Sequence, residues 1–159
     1  MASDLVVTWN MSCTANQFLL GKLTAKHLAA RYSARTRTVA GQFVHMHNVR
    51  VRWMKLSTPD LASKLESFER GAEPTRAQLK KALKASAKVV AKYLDVCEKV
   101  GQVKHWDGPT ASYLGYLVAH EAHHRGLAMV ALRVADLKLD DEVIYGQWQW
   151  GKKTSQPKD

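Results

Sequence analysis

Apolar side chains along this chain recur every three or four residues, the spacing that gathers one face of an α-helix. After Ser3, the residues Leu5, Trp9, Cys13 and Leu19 or Leu20 keep that spacing. Ser3 or Asp4 is placed to cap a first helix, and Gly21 to stop it at about Leu20. A second long helix is predicted from about Thr38 to Leu56, ended by Ser57-Thr58-Pro59-Asp60. Leu61 to Phe68 reads as a short polar helix or a loop. Thr75, with Gln78 three residues on, has the form of a capping box. It opens a third long helix that runs to Val100 and closes at Gly101. Asp107-Gly108-Pro109-Thr110 introduces a fourth, carried to about Leu137. Strand-like alternation is scarce, and no Asn-Gly or Asp-Gly turn joins β-branched runs. The pattern predicts an all-α fold, a four-helix bundle. Beyond it, Val143 to Trp150 carries Tyr145, Trp148 and Trp150 and is expected to pack across the bundle as a short aromatic extension.

A chain of 159 residues, 46% hydrophobic and 24% charged, suits one globular domain with its own core. That domain is expected over residues 1–150, with a flexible basic tail at 151–159. No stretch has the length of a membrane-spanning helix. The beginning, MASDLVVTWNMSC, has an early Asp4 and no basic region before its apolar residues, so a cytoplasmic location is expected. Cys13 and Cys97 lie far apart on predicted helices. They are expected as buried thiols rather than a disulfide, and they lack the spacing of a paired-cysteine zinc site. The formal net charge of +10 permits nucleic-acid binding without requiring it.

Five of the seven histidines form two clusters, His45 and His47 on the second predicted helix, and His120, His123 and His124 on the fourth. Residues four apart share a helix face, so His120 and His124 point the same way. Tyr113, Leu117, Ala128 and Ala131 continue that face, which therefore looks into the bundle, where facing helices supply metal ligands. Buried neutral imidazoles need partners, and a divalent ion is one. His120-Glu121-Ala122-His123-His124 also matches the zinc-protease helix H-E-x-x-H, with Glu121 as general base. The longer metzincin form needs glycine where Leu127 stands and a later histidine that this chain does not have. A third ligand is expected from the second helix. His45 shares a face with Val49 and Trp53, His47 with Ala40, Phe43, Val51 and Met54, and periodicity does not choose between them.

The run Gln42-Phe43-Val44-His45-Met46-His47-Asn48-Val49-Arg50, followed by His120-Glu121-Ala122-His123-His124-Arg125-Gly126, resembles the DinB-like family of bacterial four-helix proteins. Tyr145-Gly146-Gln147-Trp148-Gln149-Trp150-Gly151 is similar to the ending of one branch, so the resemblance spans Trp9 to Gly151. It implies three histidines around zinc or nickel. The first stands in a histidine-hydrophobic pair on the second helix, which His45-Met46 matches; His123 is then left to packing or to supporting a ligand. Leu127 departs from the glutamine common in relatives. Relatives of known activity are thiol-dependent transferases and isomerases, so the resemblance implies a metal-dependent thiol S-transferase acting on a small molecule, and a homodimer; the same three-histidine ion activating water instead of a thiol would make a hydrolase.

Other polar residues are candidates without an assigned role. Glu121 lies about 100° around the helix from His120. It is expected first at the surface or an interface, and next as an acceptor orienting an imidazole. Arg125 either holds an anionic substrate or pairs with Glu121. Trp9, Trp53, Tyr113 and Tyr116 are expected in the core, or else as pocket walls. Lys80, Lys84, Lys88 and Lys92, with Lys81 beside them, make a basic stripe on the third long helix, expected as a solvated face and alternatively as a nucleic-acid footprint. A metal-binding or stress-response protein without catalysis is the remaining alternative to an enzyme.

Overall fold

The computed structural model describes residues 3–150, and the tail at 151–159 lies outside them. Among the described residues every regular element is helical. The elements are α1 (Asp4–Lys22), α2 (Ala25–Ala29), α3 (Val39–Ser57), α4 (Pro59–Ala62), α5 (Arg76–Val100), α6 (Thr110–Val134) and α7 (Asp141–Gly146). None of these helices is long and apolar enough to cross a membrane.

Helix starts follow local side-chain chemistry. Ser3, Thr38 and Thr75 accept hydrogen bonds from the backbone N–H groups of Val6, Gly41 and Gln78, satisfying donors that a helix N-terminus leaves free. Gln78 returns the bond to the Thr75 N–H, completing the expected capping box. The short α2 was not foreseen; Thr24 and His27 form its capping box, with His27 Nδ1 in the place usually held by Glu or Gln.

Helix ends depart further from expectation. α1 runs through Gly21 to Lys22 and stops only where Leu23 turns extended. The segment after α3 is helical from Pro59, earlier than Leu61, because proline fits the first turn of a helix. α6 ends at Val134 instead of Leu137. Asp136 takes φ +53°, its N–H bonds Arg133 O, and the Leu137 N–H reaches Leu132 O at 2.9 Å. This is a Schellman stop in which aspartate replaces the usual glycine. The Gly101 stop of α5 has φ +75°, as predicted.

Four long helices form a bundle in which α1 and α3 each pack on both α5 and α6. The core clusters show the directions. Val6 and Trp9 of α1 meet Val51 and Met54 of α3, Val90 and Leu94 of α5, and Tyr113 and Leu117 of α6 at one end. Leu19, Phe43, Leu83 and Leu132 meet at the other. α1 and α6 therefore run one way, α3 and α5 the other, and residues 58–75 carry the chain the length of the bundle between two parallel helices. Between the two clusters lies a buried polar layer: Ser12, Asn16, Gln42, His47, Arg50, Ser86, Glu121, His124 and Arg125.

The aromatic extension packs only in part. Val143 joins the core, and Gly146 lies so close to Phe18 that a Cβ there would stand 2.5 Å from its ring. Tyr145 and Trp148 turn outward instead, Trp148 with 78% of its surface exposed. Cys13 and Cys97 are free thiols, as expected.

Candidate metal centre

α3 and α6 are neighbours, and they bring His45, His120 and His124 together. His120 Nε2 stands 3.3 Å from His45 Nε2 and 3.2 Å from His124 Nε2. Zinc–imidazole bonds of about 2.0–2.1 Å at tetrahedral angles place two nitrogens about 3.3 Å apart. His120 thus already stands at ligand spacing from both neighbours, and one nitrogen of each of the three rings lies within 4.8 Å of the other two. His124 Nδ1–H donates to Gln42 Oε1 at 2.7 Å, and Gln42 is itself buried. That bond fixes the tautomer and leaves the Nε2 lone pair bare toward the other two rings. A single proton on His120 Nε2 satisfies at most one neighbour, so three converging nitrogens are better matched by a cation.

The electrostatics point the same way. Burial, then the neighbouring His120 and His45 rings, push His124 down to about 3. Burial, then Arg37, push His45 down to about 4. His120 is lowered too, chiefly by burial. Imidazoles held neutral are ready ligands.

The other histidines stand elsewhere. His47 is buried with both ring nitrogens engaged, Nε2 by Glu66 O at 2.8 Å and Nδ1 by Ser86 Oγ at 3.1 Å. It tethers the crossover segment and α5 to α3, and has no nitrogen left for an ion. His123 is exposed, with its ring 5.1 Å from that of His124.

Glu121 is not at the surface. It is 1% exposed and faces α1 and α3, because α6 packs on both and buries more than the histidine face. Arg50 grips the carboxylate with a fork, Nε to Oε1 at 2.5 Å and Nη2 to Oε2 at 2.8 Å, and Asn16 Nδ2 donates to Oε2 at 2.6 Å. With its oxygens so engaged, Glu121 does not match the general base of a zinc protease. Arg50 also donates to Leu83 O and stacks over Trp9, whose indole N–H bonds Ala87 O. Arg125 does not pair directly with Glu121; its Nη1 donates to Asn16 Oδ1 at 2.7 Å. Arg50, Asn16 and Gln42 were not singled out by periodicity. The signal that existed was polar residues standing on otherwise apolar helix faces.

Aromatic rings wall one side of the site. Tyr116 lies 5.9 Å from His120 between ring centres, and Trp53 and Trp106 pack behind it with Tyr113. Trp9 and Tyr113 are fully buried core residues. The lysine stripe, Lys80, Lys81, Lys84, Lys88 and Lys92, is exposed along α5.

Cys13 adjoins this layer, its sulfur 3.6 Å from Arg50 Nη2. Burial pushes its thiol up to about 12, although Arg50 pulls the other way, and burial also raises Cys97. The reactive species is the thiolate. Native protein at pH 8 is therefore expected to react with a disulfide reagent about a hundredfold more slowly than the same chain in guanidinium, where both thiols titrate at once. Rapid labelling of Cys13 in native protein would contradict this picture.

Comparison with known proteins agrees with the geometry. The curated proteins and the solved structures yielded no match. A family model described as DinB family matches residues 3–137, which takes in all four long helices and all three converging histidines. The chain belongs to the DinB family.

Proposed function

We propose that the protein is a metal-dependent enzyme in which His45, His120 and His124 hold one zinc or nickel ion and present it to a low-molecular-weight thiol or to water. The observation that carries this reading is the convergence of three imidazoles, with His120 Nε2 at the spacing of tetrahedral ligands from both His45 Nε2 and His124 Nε2. Three neutral ligands leave the ion its full charge and at least one open position. An ion so held supplies Lewis acidity, lowering the pKa of a coordinated thiol or water enough to make a nucleophile at neutral pH. The chain's own residues do the rest. Gln42 keeps His124 in the ligating tautomer, Tyr116 and the rings behind it wall the histidines on one side, and Arg37 and Arg52 stand near enough to act on His45 and to favour an anionic reactant. Transfer of the thiol to an electrophilic carbon, or hydrolysis, is the class of reaction this supports.

Elemental analysis of protein purified without a histidine tag is expected to find one divalent ion per chain, or uptake of one when zinc or nickel is added. Screening the loaded protein with small thiols and electrophiles is expected to reveal turnover. Absence of both bound metal and uptake would sink the whole reading, while bound metal with no turnover of any substrate would leave a metal-binding protein without catalysis.

A further inference from the structure

A groove of about 910 Å³ runs between α6 and the C-terminal segment that carries α7. Val118, Met129, Val130, Leu139, Ile144 and Trp148 give it apolar walls. Val118, Ala122 and Met129 lie about 160–200° around α6 from His120, so the groove opens on the side of the helix away from the histidines.

Apolar walls alone name no occupant; the charges do. Arg125, Arg133 and Lys138 line the groove against one acid, Asp141. Arg125 is 92% buried, being only 8% exposed. A guanidinium has five N–H donors. Among the described residues Arg125 forms one protein hydrogen bond, from Nη1 to Asn16 Oδ1. None of its nitrogens is both sealed from solvent and unpaired, so its remaining donors keep an outlet. The network behind it is also unbalanced. Two guanidinium groups, Arg50 and Arg125, stand in a layer with a single carboxylate, Glu121, and Arg50 and Asn16 already occupy that carboxylate. A nearly buried cation in surplus, lining an apolar groove and with most of its donors unfilled by the described residues, is a site for an anion.

We propose that this groove binds a small carboxylate carried on an apolar aryl or alkyl body, the carboxylate paired with Arg125 and the body lying against Met129, Ile144 and Trp148. Arg133 and Lys138 attract the charge, and Ala122 and Gly126 leave room for the body. The site is separate from the histidines and does not depend on the metal reading.

The test is titration of the full-length protein with naphthalene-2-carboxylate and with decanoate, read by calorimetry and tryptophan emission. One saturable site per chain is expected, and the tighter of the two identifies the body as aryl or alkyl. The uncharged counterparts, 2-naphthylmethanol and 1-decanol, are expected to bind at least about tenfold more weakly, since they lose a charge-assisted bond. Gly126→Leu fills the groove, and a Cβ at Gly126 meets no heavy atom within 4 Å, so the variant is expected to fold. Carboxylate binding should fall at least about tenfold in Gly126→Leu, with the melting temperature preserved, and stay unchanged in His124→Ala. The proposal is overturned by any of four results: no saturable carboxylate binding, alcohols as tight as the acids, wild-type binding by Gly126→Leu, or loss in His124→Ala. A wild-type dimer that Gly126→Leu converts to monomer would overturn it as well, assigning the groove to a second copy of the chain.

Discussion

Glu121→Ala is expected to destabilise the fold by about 3–5 kcal/mol, lowering the melting temperature by roughly 6–20 °C in a chain of this size. The carboxylate is 1% exposed and accepts from Arg50 through two nitrogens and from Asn16. Its removal leaves the guanidinium of Arg50, also 1% exposed, in the centre of the bundle with no counter-charge. Leu83 O and the face of Trp9 still hold that guanidinium, but neither carries a full charge. The cost is that of the orphan, not the worth of the pair. Arg50→Met alone should cost a similar amount, because it orphans Glu121. The double variant Arg50→Met with Glu121→Leu should cost clearly less than the sum, and less than either single change if the two apolar side chains fill the space. Equilibrium denaturation of the four proteins measures the cycle. A loss below about 1 kcal/mol in Glu121→Ala, or additive single effects, would show that water reaches this layer and that the ion pair does not organise it.

The unequal legibility of the chain has physical causes. Helix starts were readable because a cap is a contact between residues three apart, as at Ser3, Thr38 and Thr75. The stop of α6 was not, because a left-handed residue is announced by glycine and here is Asp136. His120 and His124 were readable as a pair, since one helix fixes their relation. The choice between His45 and His47 was open because α3 is buried on two sides. His45 faces α6 and the rings of His120 and His124, while His47 faces α5 and Ser86, and both positions look inward. The resemblance to a family, not the periodicity, pointed to His45. The same two-sided burial takes Glu121 out of solvent. A charge off the apolar histidine face of a helix is normally solvated, but α6 packs on α1 as well as α3. The partner that makes burial tolerable, Arg50, is 71 residues away. No single-helix pattern reveals such a pair.

His124→Ala should abolish stoichiometric metal binding, and Gln42→Leu should weaken it without abolishing it. Gln42 touches no ion; it holds His124 Nδ1 at 2.7 Å so that Nε2 points at the other rings. Removing such a partner lowers affinity about 10–100-fold, so loss of the imidazole itself should exceed about a hundredfold. His47→Ala is the control, because both His47 nitrogens serve Glu66 O and Ser86 rather than the cluster. It should keep the metal at some cost in stability. Metal-linked stability gives a reading that does not depend on knowing a substrate. An ion at 100 times its dissociation constant stabilises the folded chain by about 2.7 kcal/mol. Zinc or nickel should therefore raise the melting temperature of the wild-type protein by about 5–10 °C and raise that of His47→Ala as much. Gln42→Leu should need about 10–100 times more metal for the same rise, and His124→Ala should show none. Equal metal shifts in wild type and His124→Ala would place the ion elsewhere. Loss of the shift in His47→Ala, with its fold intact, would return His47 to the ligand set and remove His45 from it.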